Sequence, residues 1–272
     1  MILSYNTIKK LTDKNLLIEN ANVQNIHSSS YDVTADKYIL KFKKSKKPIS
    51  FIDAEELNTM YEEINITTGY TIKPGETILV VLEDIFNIPN NICGSIRGRT
   101  SLNRLGLTIA TQHLNPGFKG KLNLVVTNNS INSYIITPKI QIAQVLFEKL
   151  DRKVNKKQLY SNKKKSTYQN KDGRQGSMIY SDYIGKVVRH FKGNYYFIED
   201  ICMDSETKEY TIIYKNLYNR EDSNIWARPA KMFFEEIDEN RADNITKQKH
   251  RFELVDDLTI DYTKENKQKL DK

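Results

Sequence analysis

Short apolar or alternating runs, each closed by a turn-forming pair, fill the first 150 residues, and that rhythm points to an all-β body. The runs fall at 31–33, 38–42, 77–82, 122–126, 134–136 and 140–147. Pro74-Gly75, Pro89-Asn90-Asn91, Pro116-Gly117 and Asn128-Asn129 punctuate them, because Pro presets φ while Gly and Asn tolerate positive φ. Two helices are expected there. One covers 4–16, with Ile8, Leu11 and Leu16 on a shared face; the other is a turn over 101–105 with Thr100 or Ser101 as its cap.

A second pattern begins near residue 180. Val187, Val188, residues 195–198 and 211–214 and the surroundings of Trp226 read as strands, and 230–234 as a short helix entered through Pro229. A chain of 272 residues exceeds the usual span of one domain, so the expected division is a β body at 1–150, a basic stretch at 151–179, a small β-rich (α+β) module at 180–258 and a frayed polar tail at 259–272.

Charge singles out the stretch between the two patterns. The chain carries 42 Lys and Arg against 34 Asp and Glu, a net of +8. Residues 152–175 hold nine basic side chains and one acid, Asp172, so the whole excess lies there. Such a run is either a solvated linker or a contact for phosphates, those of a nucleotide or of a nucleic acid. No run of apolar residues is long enough to span a membrane, and Lys9 and Lys10 interrupt the N-terminus too early for a signal peptide, which leads us to expect a soluble, cytoplasmic protein. Cys93 and Cys202 stand apart without a CxxC, so neither a disulfide framework nor a local zinc site is expected.

The segment richest in chemistry is Gly94-Ser95-Ile96-Arg97-Gly98-Arg99-Thr100-Ser101-Leu102-Asn103-Arg104-Leu105-Gly106-Leu107. Two guanidinium groups flank a Thr-Ser pair at a turn, a donor set suited to phosphate, although two surface arginines beside an ordinary helix cap would read the same way. The wider order is more specific. Pro74-Gly75-Glu76 before a strand, the run from Gly98 to Leu107, Asn115-Pro116-Gly117-Phe118-Lys119-Gly120, and Pro138 before Ile142-Ala143-Gln144-Val145-Leu146-Phe147 together resemble the dCTP deaminase and dUTPase superfamily. Ser30-Tyr31-Asp32-Val33 and Thr167-Tyr168-Gln169-Asn170-Lys171-Asp172-Gly173 are similar to the ends of its dCTP deaminase branch, so the likeness spans about 1–177.

That resemblance implies a distorted β-barrel or jelly-roll-like fold, a homotrimer with nucleotide sites between subunits, and a deoxynucleoside triphosphate as ligand with Mg²⁺ carried on its phosphates. It places Arg99, Thr100, Ser101, Arg104 and Lys171 on the triphosphate, and Thr111, Gln112, His113, Asn115, Phe118, Tyr168 and Gln169 around base and sugar, with the Tyr168 segment closing over the nucleotide. The same resemblance exposes two gaps. Where the deaminase branch has a Glu to take a proton from the water attacking the cytosine ring, this chain has Val125; where the dUTPase branch has an Asp to activate water, it has Asn115. Valine accepts no proton, and Asn can hold a water but is no base near neutral pH. No residue is therefore assigned as catalytic, and no metal ligand is assigned. His113 has a usable pKa, yet a lone His beside a strand turn is more often structural.

Residues 180–256 are similar to a small bacterial domain of unknown function, on Arg189-His190-Phe191-Lys192-Gly193, Ser205-Glu206-Thr207, Trp226-Ala227-Arg228-Pro229-Ala230-Lys231-Met232-Phe233 and Arg251-Phe252-Glu253. Arg189, His190, Lys192, Tyr195, Trp226 and Arg228 suit stacking on a base or gripping a phosphate. The plainer reading makes Trp226 and Tyr195 core and pairs Arg228 with an acid such as Glu235. Three functions follow: a dCTP deaminase with weak or lost catalysis, a non-catalytic nucleotide sensor or sponge whose second module contacts a partner, or a nucleic-acid binder using the Lys-rich stretch.

Overall fold

The computed structural model describes residues 1–46, 49, 57, 59–163, 167–207, 209–217 and 224–255. The tail expected at 259–272 lies outside them. The chain separates into two compact units, the first made of Met1–Lys44 and Met60–Gly176, the second of the remainder. No described helix is long and apolar enough to cross a membrane.

The strands of the first unit are β1 (Leu17–Glu19), β2 (Tyr31–Phe42), β3 (Tyr61–Asn65), β4 (Tyr70–Ile72), β5 (Thr77–Leu82), β6 (Ile85–Asn87), β7 (Ile92–Gly98), β8 (Leu107–Ile109), β9 (Gln112–Leu114), β10 (Lys119–Gly120), β11 (Asn123–Asn128), β12 (Tyr134–Ile136) and β13 (Gln141–Lys149). Its main sheet runs β8-β11-β5-β2-β13-β7-β9, with β3 on β2. The edge strands β8 and β9 follow one another in sequence, so the sheet curls into a barrel-like body. Ile8, Val33, Ile39, Val80, Leu82, Phe86, Ile96, Leu124, Val145 and Phe147 fill it. Alternation dictates which residues these are: Leu124, Val126 and Asn128 of β11 are buried, while Asn123, Val125 and Thr127 are partly exposed.

The first expected helix is shorter than the sequence implies, covering Tyr5–Thr12. Asn15 and Leu17 adopt φ of 55° and 68°, a left-handed conformation that ends the helix and sends the chain into β1. The second occupies Thr100–Asn103, and its N-cap is Arg99, without a side-chain cap, rather than Thr100 or Ser101. The basic stretch does not run free of the first unit. The Val154 amide donates to Asn90 O, the Tyr160 amide donates to Pro116 O, and residues up to Gly176 belong to that unit.

The second unit holds β14 (Val187–His190), β15 (Tyr195–Met203), β16 (Tyr210–Asn216), β17 (Ile225–Pro229) and β18 (Phe252–Leu254), in one antiparallel sheet ordered β17-β16-β15-β14-β18. A single helical turn, Ala230–Phe233, follows Pro229 as expected. Tyr195, Ile198, Ile212, Tyr214, Phe233 and Phe252 are buried.

Candidate functional site

Strand β7 delivers the chain to the site. It pairs with β13 from Gly98↔Ala143 to Ile92↔Lys149, so Arg99 emerges beside the start of β13. A Cβ on Gly98 would lie 3.0 Å from both Asn103 Oδ1 and Ile109 Cβ, so any larger residue there would push on the turn.

Arg99 is held rather than free. Its Nη1 donates to Gln141 Oε1 at 2.8 Å, and its Nε lies 3.4 Å from Asp32 Oδ2. The Asp32 side chain is only 4% exposed and also receives His27 Nε2 at 3.2 Å. Gln141 in turn donates through Nε2 to Asn25 Oδ1 at 2.9 Å. A carboxylate this deep is tolerated because cationic and hydrogen-bonding groups surround it, and in return it fixes the guanidinium. The β7–β13 register, with Gly98 opposite Ala143 and the Arg99 amide donating to Ile142 O, brings Gln141 beside Arg99. Thr100, Ser101 and Arg104 are exposed and, among the described residues, their side chains carry no hydrogen bond or ion pair. Beside the anchored guanidinium of Arg99, the open guanidinium of Arg104 and the two hydroxyls present donors to solvent without partners, an arrangement a multiply charged anion satisfies.

Val125 sits where β11 pairs with β5 at Leu79, and its carbonyl accepts the Ala110 amide at 3.0 Å. Its neighbours Leu124 and Val126 are buried, so no shift of register brings a carboxylate to its place. Asn123, on the same face, donates through Nδ2 to Gly173 O and Gln175 O at 2.8 and 2.7 Å. Thr111 and His113 are exposed, and Gln112 donates through Nε2 to Asn123 O at 2.9 Å. Asn115 is exposed at the head of a turn closed by Phe118 N donating to Asn115 O at 3.1 Å. Phe118 itself is buried, its ring packed on Phe86 and Tyr160 with centroids 6.5 and 5.6 Å away, so its ring lies in the core beneath the turn.

The segment expected to close over a ligand lies along its own chain's β10–β11 edge. Asn170 N donates to Lys119 O, Lys121 N donates to Lys171 O, and Gln169 bridges Lys119 N and Gly117 O with its side chain. Gly120 and Gly173, at φ of 135° and 80°, allow the approach: a Cβ on Gly173 would meet Leu122 O at 2.8 Å. Tyr168 is partly buried against the core, and the Lys171 side chain points to solvent. Sequence reasoning missed His27, Asn25 and Gln141 altogether. Asp32 was visible as part of a strand motif, but nothing in its spacing announced that it would anchor Arg99.

Beside this network a polar cavity of about 450 Å³ is lined by Asn25, Tyr31, Thr34, Asp84, Lys139 and Gln141, among others. Burial holds the Asp84 carboxyl above its usual range against the bonds it accepts from Thr34 N and Tyr31 Oη, and the same burial pushes the Tyr31 phenol up.

The first unit is thus a curled antiparallel β body with an arginine-bearing turn beside a strand edge. Residues 2–150 match the family model described as dCTP deaminase-like, and residues 186–254 match one described as a protein of unknown function (DUF1653). A dCTP deaminase of Halorubrum lacusprofundi is 30% identical over 190 residues, covering 67% of this chain and 93% of its own. A dUMP-forming dCTP deaminase of Coprothermobacter proteolyticus is 32% identical, covering 68% of this chain and 99% of its own. The crystal structure of an Agrobacterium tumefaciens 2'-deoxycytidine 5'-triphosphate deaminase superposes with a TM-score of 0.46 at 18% identity, over 54% of this chain and 46% of that one. The chain belongs to the dCTP deaminase-like family.

Proposed function

We propose that the first unit binds a pyrimidine deoxynucleoside triphosphate and deaminates it poorly or not at all. The observation that carries this reading is the pairing of an anchored Arg99 and open Thr100, Ser101 and Arg104 with a valine at position 125. Arg99 and Arg104 hold the phosphates; Thr100 and Ser101 donate to their oxygens; Lys171 reaches the phosphates from the closing segment. Thr111, Gln112, His113 and Asn115 surround base and sugar, with Phe118 supporting the turn from below and Tyr168 and Gln169 steering the closing segment. The active assembly is a homotrimer in the cytoplasm, as family membership suggests.

Deamination needs a group that takes a proton from the water attacking the ring, and a general base contributes typically 10²- to 10⁴-fold. Val125 removes that contribution, and Asn115 leaves phosphate-chain hydrolysis without a base as well. Among the described residues no group of three or more His, Cys, Asp or Glu is placed to hold a metal ion, and Asp32 is already committed to Arg99 and His27. Mg²⁺ would arrive on the triphosphate, where it would neutralise phosphate charge. A nucleotide sensor or sponge is the biological role that such a site serves.

The test is incubation with each dNTP and with methylated and hydroxymethylated dCTP, following ammonia and pyrophosphate, alongside equilibrium binding. Binding at micromolar or tighter affinity without product is expected, and Val125→Glu is expected to raise ammonia release from dCTP. Turnover of ordinary dCTP at about 1 s⁻¹ or faster would refute the reading.

A further inference from the structure

The sheet of the second unit gathers cations around aromatic rings on a scale that its own packing does not require. Cross-strand partners share a face, which places His190, Phe252, Tyr196, Tyr214, Trp226 and Arg228 on one side of the five strands. The His190 ring lies between Phe191 and Phe252, at centroid distances of 4.2 and 4.7 Å. Arg228 sits 5.9 Å over the Phe252 ring, and Arg251 sits 5.6 Å over Phe191. Lys192 lies 5.7 Å over Phe191 from the loop that follows β14.

These cations are not equally satisfied. Glu235, the acid the sequence offers to Arg228, is taken by Arg251, and Asp243 is shared by Lys192 and Arg241. Arg228, which is partly buried, has no hydrogen-bond or ion-pair partner among the described residues. Tyr195 is core, as the plainer reading of the sequence has it, but Arg228 is not part of any neutralised pair. Burial, then the charges of Arg251, Arg228 and Lys192, push the His190 imidazole down to about 4. It is neutral at pH 7, so it adds no positive charge but can donate or accept a hydrogen bond. Arg251 and Lys192 already have acids beside them, so Arg228 is the cation that an anion would complete.

We propose that the second unit binds a phosphate-bearing small molecule at Arg228, with His190 and Arg251 alongside and the neighbouring rings as its walls. Arginine over an aromatic ring is pre-ordered for a forked contact to phosphate oxygens, and the neutral imidazole supplies a further hydrogen bond. The chemistry is common to free pyrophosphate and to the phosphate tail of a nucleotide. Every residue named for this site belongs to the second unit.

The experiment uses the full chain carrying both Arg99→Ala and Arg104→Ala, which removes the two guanidinium groups of the other phosphate site, and titrates it calorimetrically with inorganic pyrophosphate, with dCTP and with a 20-nucleotide single-stranded DNA. Pyrophosphate or dCTP is expected to bind at one site per chain, and adding Arg228→Gln should weaken that binding by about tenfold or more, the loss typical of a charged hydrogen bond. Tighter binding of dCTP than of pyrophosphate identifies the source as a nucleotide; equal binding identifies the free anion. Because Arg228→Gln could disturb packing on Phe252, the His190 ring resonances of the chain with native Arg228 are followed by NMR during the same titration and should move with saturation. The proposal is overturned if neither small anion binds, if Arg228→Gln binds them equally well, if the His190 resonances stay still, or if only the DNA binds.

Discussion

Acid should loosen the second unit, and His190 gives the size of the effect. Its imidazole titrates near 6.5 when unfolded and near 4 in the folded unit, because burial and the charges of Arg251, Arg228 and Lys192 disfavour the protonated ring. Between those values the unfolded chain binds more protons, so stability is intact above about pH 6.5 and declines as pH falls towards 4. A shift of this size sets a ceiling of about 3 kcal/mol. The ring is only partly buried, and screening by solvent reduces the figure to about 1–2 kcal/mol, of which about 1 is lost by pH 5. For a unit of this size that corresponds to a fall of about 4–8 °C in melting temperature. Trp226 is the only tryptophan of the chain and belongs to this unit, so its fluorescence reports the transition selectively. Melts at pH 7 and pH 5 should separate by that amount in the native chain and by clearly less in His190→Gln. Equal separations would refute the reasoning, since the variant lacks the titrating ring while keeping every carboxylate.

Arg104→Ala should weaken dCTP binding by about 10- to 100-fold, the worth of a charged hydrogen bond, and leave the melting temperature of the first unit unchanged because the side chain is exposed and unbonded; calorimetry and thermal melts check both. Asp32→Asn should cost about 3 kcal/mol in urea unfolding of the first unit and also loosen nucleotide binding, because Arg99 loses the anion that fixes it. Gly173→Ala forces a left-handed alanine against Leu122 O and should release the closing segment, seen as faster proteolytic cleavage within 167–176, at a cost of about 1–3 kcal/mol locally.

Alternation and turn chemistry in the sequence determined the β class of both units, the strands at Thr77–Leu82 and Tyr134–Ile136, the helical turn after Pro229, and the face of β11 that carries Val125. These are local properties, set by period two and by what Pro, Gly and Asn do to the backbone. The arginine-bearing turn was legible for the same reason, whereas the missing carboxylate at 125 was legible only through the resemblance to the dCTP deaminase branch. Only the tertiary structure decided that Asp32, 67 positions before Arg99, is the buried anion that anchors it, or that Glu235 goes to Arg251 and leaves Arg228 open. It also decided that Phe118 turns into the core and that the end of the basic stretch, from Gln169 to Gln175, lies along β10 and β11. Partners of that kind are chosen by strand order, by strand register and by competition among several cations for few acids, and none of these leaves a periodic trace in the chain.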